Sequence, residues 1–254
     1  MSEILSTIKE TFELPSKGLI YDRPINPQIK LRSMTTQDEM ARLSPSEDKC
    51  RTLAELIENC IEGDKPDLSV YDMCMGDYYY LLNALRVVTY GSDYHMMAYC
   101  LACQTSFETT INLDELRVLE WDDSIKQRMF VTLPTSGKLI ELNYQTPRII
   151  DDIARRVKQM KKQNKDLVEE NEELLQKVIF SIKTIDGRKP NPAEVETLVR
   201  KMKMADFNVL SQKIDALNEA LGPVKVLALE CTNCHNTTLS LFRYSPEFFR
   251  PTVD

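Results

Sequence analysis

The sequence predicts an α+β fold of two similar units, residues 1–114 and 115–254. Each unit reads as a β-hairpin, then helices, then a second hairpin that carries a CxxC knuckle. Three observations predict this. Two CxxC pairs, Cys100-Leu101-Ala102-Cys103 and Cys231-Thr232-Asn233-Cys234, lie 131 positions apart. Each follows a helix-like segment ending in glycine, Gly91 or Gly222, with eight residues between glycine and first cysteine. A second motif also repeats: Leu14-Pro15-Ser16-Lys17-Gly18-Leu19-Ile20 resembles Leu133-Pro134-Thr135-Ser136-Gly137-Lys138-Leu139-Ile140. A shared order of features at matched spacing is the mark of a duplicated unit.

In the first unit, Thr11-Phe12-Glu13 enters the turn motif and Ile29-Lys30-Leu31-Arg32 returns from it, a hairpin pattern. Thr35 precedes Asp38 by three positions, which is a capping box at a helix start. Residues 53–61 are amphipathic and stop at Gly63, and a final helix is expected from about Tyr71 to Tyr90. Tyr94, Met96 and Ala98 before the first knuckle, and Phe107, Thr109 and Ile111 after it, predict two strands. The connection between units, residues 114–128, reads as a short docked helix bearing Leu116, Leu119 and Trp121 among acids.

The second unit repeats the order. Phe130-Val131-Thr132 and Leu139-Ile140-Glu141-Leu142 are its hairpin, and Thr146-Pro147 opens a helix. From Ile150 to Val178 apolar-type positions recur at alternating spacings of three and four, through Ile153, Val157, Met160, Asn164, Leu167, Asn171 and Leu174. This heptad pattern predicts one long helix over residues 146–182, about 50 Å at 1.5 Å per residue. Its seam needs a partner. An internal antiparallel hairpin would use Val195, Leu198, Val199, Met202, Leu210, Ile214 and Leu217; a coiled coil would use another chain. The last helix is expected from about Ala205 to Leu221, followed by strands around the second knuckle. The tail Tyr244-Ser245-Pro246-Glu247-Phe248-Phe249-Arg250-Pro251 has two prolines, which exclude a regular helix, and its aromatics are expected to pack back on the chain.

Four thiolates in two CxxC pairs form a tetrahedral Zn2+ set, since each tight turn presents both sulfurs to one ion. The predicted ligands are Cys100, Cys103, Cys231 and Cys234, and the two knuckle hairpins then make a split zinc ribbon. Disulfides, redox thiols and buried apolar cysteines are the competing readings. The chain has seven cysteines, an odd number, and residues 1–4 lack a cationic start and apolar run, which favours a reducing compartment. His235 follows Cys234 and could compete as a ligand, though four cysteines already complete the set; His95 lies in a predicted strand.

Among 254 residues the net charge is −7, which opposes a general nucleic-acid footprint. No apolar run approaches the ~18 residues of a membrane span. Arg155, Arg156, Lys158, Lys161 and Lys162 are followed by Glu169, Glu170, Glu172 and Glu173, a solvated helix face. Asp122-Asp123 and Asp151-Asp152 read as helix-start charges. No GxSxG, HExxH, P-loop or GxGxxG occurs, and four thiolates leave zinc no open position, so no enzyme is expected and no catalytic residue is assigned.

Phe12-Glu13-Leu14-Pro15-Ser16-Lys17-Gly18, Met34-Thr35-Thr36-Gln37-Asp38-Glu39, and the Leu85-Arg86 to Tyr90-Gly91 segment leading into Cys100 and Cys103 carry a family resemblance. In this order they resemble the baseplate hub and hub-assembly proteins of T-even-type bacteriophages with contractile tails. The resemblance covers about residues 8–115, with a fainter echo in the second half. It implies a viral tail protein that builds the baseplate hub, acting in the host cytoplasm, with the virion baseplate as its other location. The partners implied are other tail and hub proteins. One alternative is a chaperone for the tape-measure protein that is absent from the virion. Another, of a different class, is a zinc-ribbon nucleic-acid-binding factor. The oligomeric state is left open by the sequence.

Overall fold

Short antiparallel hairpins alternate with helices along the chain, in the computed structural model that describes residues 9–244 and 246–249. Residues 1–4, and Ser245, Arg250 and Pro251 of the tail, lie outside the described residues. Strands β1 (Lys9–Glu13) and β2 (Gln28–Arg32) pair antiparallel, with Phe12 opposite Ile29. Helix α1 (Thr36–Arg42) opens on the expected capping box: Thr35 Oγ1 accepts from the Asp38 N–H, and the Thr35 N–H donates to Asp38 at 2.8 Å. Helix α2 (Lys49–Cys60) then delivers Ile61 to a bridge with Leu31 of β2. Helix α3 (Met75–Tyr90) ends at Gly91, whose φ of 87° suits a residue without Cβ.

Strands β3 (Asp93–Cys100) and β4 (Thr105–Asn112) form the first knuckle hairpin. The connection holds a two-residue strand β5 (Val118–Leu119) and a short helix α4 (Ser124–Arg128), so only its end is the helix expected there. The second half opens with β6 (Phe130–Thr132) and β7 (Leu139–Leu142), paired with Val131 opposite Ile140.

The long helix does not form. Helix α5 (Pro147–Gln163) stops at Asn164, and α6 (Glu169–Ser181) begins five residues later. The intervening backbone is extended at Asn164, whose side-chain oxygen accepts the Asp166 N–H. The two helices turn back on each other: the Asn143 N–H, just before α5, donates to the Ser181 carbonyl at the end of α6. The heptad seam therefore dissolves beyond Met160. Ile153, Val157 and Val178 are buried, whereas Asn164, Asn171 and Leu174 are exposed. Asparagines on both sides of Leu167 in the seam gave a continuous helix little to bury there, while a turn lets the apolar ends of both helices reach one core.

Residues after Ser181 also differ from expectation. Strand β8 (Ile182–Ile185) joins β7 to make a three-stranded sheet in the order β6-β7-β8. Ile182 pairs with Leu142 as Ile61 bridges Leu31 in the first half. Helices α7 (Pro192–Arg200) and α8 (Met204–Asn218) follow, then a two-residue strand β9 (Gly222–Pro223) paired with β5. Strands β10 (Val226–Glu230) and β11 (Thr237–Leu241) form the second knuckle hairpin. The aromatic tail packs back as expected, with Phe248 and Phe249 buried.

One contiguous apolar core runs through both halves, including Leu14, Leu31, Ile57, Leu81, Leu85, Ile140, Val178, Leu210 and Ile214. Val195, Val199 and Leu217 lie in it too, so the apolar face of the last two helices is satisfied within the chain. A smaller core of Ala98, Cys100, Phe107, Leu229 and Cys231 holds the inner faces of the knuckle hairpins. Among the described residues no helix is long and apolar enough to cross a membrane.

Candidate metal centre

A CxxC turn must bend the chain so that its second cysteine points back beside the first. Here both turns do this with the same backbone device. The residue after each second cysteine takes the left-handed conformation, Gln104 at φ 58° and His235 at φ 57°. In the second knuckle the Cys231 carbonyl accepts the His235 N–H at 2.9 Å, and the Cys231 N–H donates to Asn236. The knuckles then meet. Cys100 Sγ lies 3.7 Å from Cys234 Sγ, and Cys103 Sγ lies 3.7 Å from Cys231 Sγ. All four sulfurs sit within 4.8 Å of one another.

These distances test the donor set. A tetrahedron with Zn–S bonds of ~2.3 Å has sulfur–sulfur edges of ~3.8 Å. A disulfide would bring two sulfurs to ~2.05 Å. The cluster has the dimensions of the first and not of the second, and all seven cysteines are free thiols. Cys100 and Cys231 are fully buried, whereas Cys103 and Cys234 are half-buried. The Asn236 backbone N–H and then its side-chain amide donate to Cys234, holding that thiol down to about 6. Thiolates packed this closely repel one another unless a cation sits between them. The arrangement can hold a metal ion in a closed, four-sulfur site.

Contacts between knuckles lock the approach. Asn233 donates to Thr105 at 2.9 Å, and the Thr105 hydroxyl lies 3.0 Å from Cys103 Sγ. Neither Thr105, Asn233 nor Asn236 carries a spacing signal, so sequence reasoning missed them. His235 is exposed and pairs with Glu230 at 3.0 Å, outside the sulfur cluster. His95, on β3, is likewise exposed and bonds to Thr110.

The second hairpin is placed by a backbone contact that reaches into the first half. A Cβ on Gly222 would meet Gly76 Cα at 2.5 Å, and one on Gly76 would meet the Leu221 carbonyl oxygen at 2.6 Å. Two glycines at this crossing let the start of α3 touch the strand that feeds the second knuckle.

A further pair of contacts matches across the halves. Asp77, third residue of α3, accepts the Ser16 N–H at 2.9 Å, the Ser16 hydroxyl and the Tyr21 hydroxyl. Asp206, third residue of α8, accepts the Thr135 and Ser136 N–H groups at 2.6 and 3.1 Å. Each aspartate thus pins the turn of its own first hairpin. Met75-Gly76-Asp77 and Met204-Ala205-Asp206 were the readable signal for it.

A family model described as the T4 bacteriophage base plate protein matches residues 6–250. The chain belongs to this family. Searches of curated proteins and of solved structures found no significant match. The family match extends past the residues 8–115 that carried the resemblance and takes in both CxxC pairs of this baseplate protein. Both knuckles therefore lie within the matched span, the first in its interior and the second near its C-terminal end.

Asp151 of the baseplate protein is not a helix-start charge of its own helix. It is buried in α5 and accepts the Cys50 and Arg51 N–H groups, which open α2, and the Tyr71 hydroxyl. A carboxylate at another helix's N-terminus meets the positive end of that dipole.

Proposed function

We propose that this chain is a non-enzymatic structural component or assembly factor of the phage baseplate hub, working through contacts with other tail proteins. The observation that carries the reading is the family match over residues 6–250. We further propose that Cys100, Cys103, Cys231 and Cys234 hold one structural Zn2+ as a split zinc ribbon, and that residues 1–114 and 115–254 are duplicated units. The sulfur spacing supports the zinc. The paired φ values at Gln104 and His235, the bridges at Ile61 and Ile182, and the two pinning aspartates support the duplication.

The ion's role is mechanical. It joins segments 131 positions apart, and metal binding of this type is folding free energy. The protein thereby becomes one rigid body that can present fixed surfaces during assembly in the host cytoplasm. A four-sulfur site leaves no position for substrate or water.

Co-purification from infected cells, with partners identified, tests the reading. Hub or tail proteins recovered with the wild type, and lost with Cys231→Ser, are the expected result. Recovery of no tail protein overturns it. Presence or absence in purified virions separates a resident subunit from a transient assembly factor, including a chaperone for the tape-measure protein. A salt-dependent shift of DNA or RNA would instead support the nucleic-acid reading.

A further inference from the structure

A cleft of about 510 Å3 lies between the end of α1, the first turns of α2, the side of α3 and the segment leaving β11. Its walls are aromatic. The Tyr79 and Tyr244 rings stack at 4.5 Å, and Phe242 meets Tyr244 edge to face at 5.1 Å. Its rim is cationic. The Lys225 ammonium sits 3.8 Å from the centre of the Tyr79 ring, Lys49 and Arg243 are exposed, and among the described residues no aspartate or glutamate lines the cleft. In a chain of net charge −7, this is a local reversal of sign.

Leu241 carries the cleft onto the outer face of the second knuckle hairpin. There the cross-strand pairs Val226–Leu241 and Ala228–Leu239 face solvent, with Leu239 70% exposed. A single exposed leucine is ordinary. Two opposed apolar pairs on one face, adjoining an aromatic cleft, form a contact patch.

We propose that this cleft and hairpin face together bind an acidic segment bearing apolar side chains, supplied by another protein. The inference deepens the assembly role above and rests on it. A volume of this size accepts one or two large side chains between the aromatic walls. Carboxylates flanking them would meet Lys49, Lys225 and Arg243, and further apolar residues would cover Leu239 and Val226. A second copy of this chain would bring another −7 against this one. Nucleic acid would leave the hairpin face uncovered, and three cations are few for a phosphate track.

Fluorescence anisotropy on the full, zinc-loaded chain tests this. The probe is a labelled peptide of about twelve residues alternating phenylalanine or leucine with glutamate. Controls are the same peptide with lysine for glutamate, and a labelled single-stranded thymidine oligomer. The acidic peptide should bind saturably and the lysine peptide should not. The double variant Lys49→Glu and Arg243→Glu should weaken binding about tenfold or more. Leu239→Ser should weaken it as well, and it adds no charge to the cleft should the double variant fold poorly. Unchanged metal content and melting temperature verify the fold of either variant. No saturable binding, or binding indifferent to these variants, overturns the proposal. So does oligonucleotide binding with the same dependence, which would assign the cleft to nucleic acid. A dimer in sedimentation that Leu239→Ser abolishes would give the face to a second copy and overturn it too. If the peptide fails while tail proteins still co-purify, this surface falls and the assembly role stands.

Discussion

Asp77 shows how much one side chain can hold. Burial pushes its carboxyl up, while the Ser16 hydroxyl, the Tyr21 hydroxyl and the Ser16 N–H donate to it. Asp77→Ala leaves the Ser16 N–H and hydroxyl without an acceptor and the Tyr21 hydroxyl with only its long contact to Cys74 Sγ, at a cost of about 3 kcal/mol. Asp77→Asn keeps one acceptor oxygen and should cost less; urea unfolding of the two variants checks the order. Asp38 makes the opposite case. Its hydrogen bonds from Arg32, helped by Thr35, outweigh burial and hold the carboxyl down to about 2. A lowered folded-state pKa means the ion pair stabilises fully above the unfolded carboxylate range near ~3.9 and is lost as pH falls toward 2. Asp38→Asn should therefore cost about 1 kcal/mol at pH 6, allowing for solvent screening of the pair. That deficit should shrink as pH falls from about 4 to about 2. A deficit independent of pH would mean that the charge is not what Asp38 contributes.

At the scale of elements, the turn between α5 and α6 decides where the second half puts its apolar surface. Leu167 lies in that turn, half-buried, its carbonyl accepting from Lys161. Val178 is fully buried in α6. Leu167→Glu should change stability by less than about 1 kcal/mol, because a longer side chain at this half-exposed turn can carry its charge out to water. Val178→Ala should cost about 2 kcal/mol through lost burial and a cavity. Thermal melting of both variants checks this, and a large loss at Leu167 with none at Val178 would restore the continuous seam. The heptad spacing over residues 150–178 was legible, but periodicity reports which positions could share a stripe. It does not report that the asparagines at 164 and 171 make a turn cheaper than a longer helix. The capping box at Thr35 and the opening at Thr146-Pro147 were legible because both are local chemistry. Strand β8 was not, since Ile182 becomes a strand only when Leu142 is beside it.

For the whole molecule, the sulfur cluster ties together two knuckles that lie 131 positions apart. If one ion is shared, Cys100→Ser and Cys231→Ser should each lower the melting temperature. The double variant should add little to either, because residues acting through one site are not additive. Additive losses would mean that the two pairs act separately. Each single variant should also expose the hairpin of the other half to protease, since closing so long a loop without the ion is entropically costly. Elemental analysis should find about one zinc per chain in protein purified without chelator.

Readable from the residues alone were the α+β class, the four cysteines, the order of hairpins and helical regions, and the helix starts at Thr36, Pro147 and Met204. These follow from local rules of spacing, capping and turn chemistry that act over a few residues. Which partners those elements meet was settled by long-range packing. It brought the sulfurs within 4.8 Å, crossed Gly76 with Gly222, and turned Asp151 from its own helix to the start of another. It also broke the long helix and joined both halves in one core. Each of these depends on residues far apart in the chain whose approach is fixed by burial and packing, which no local pattern encodes.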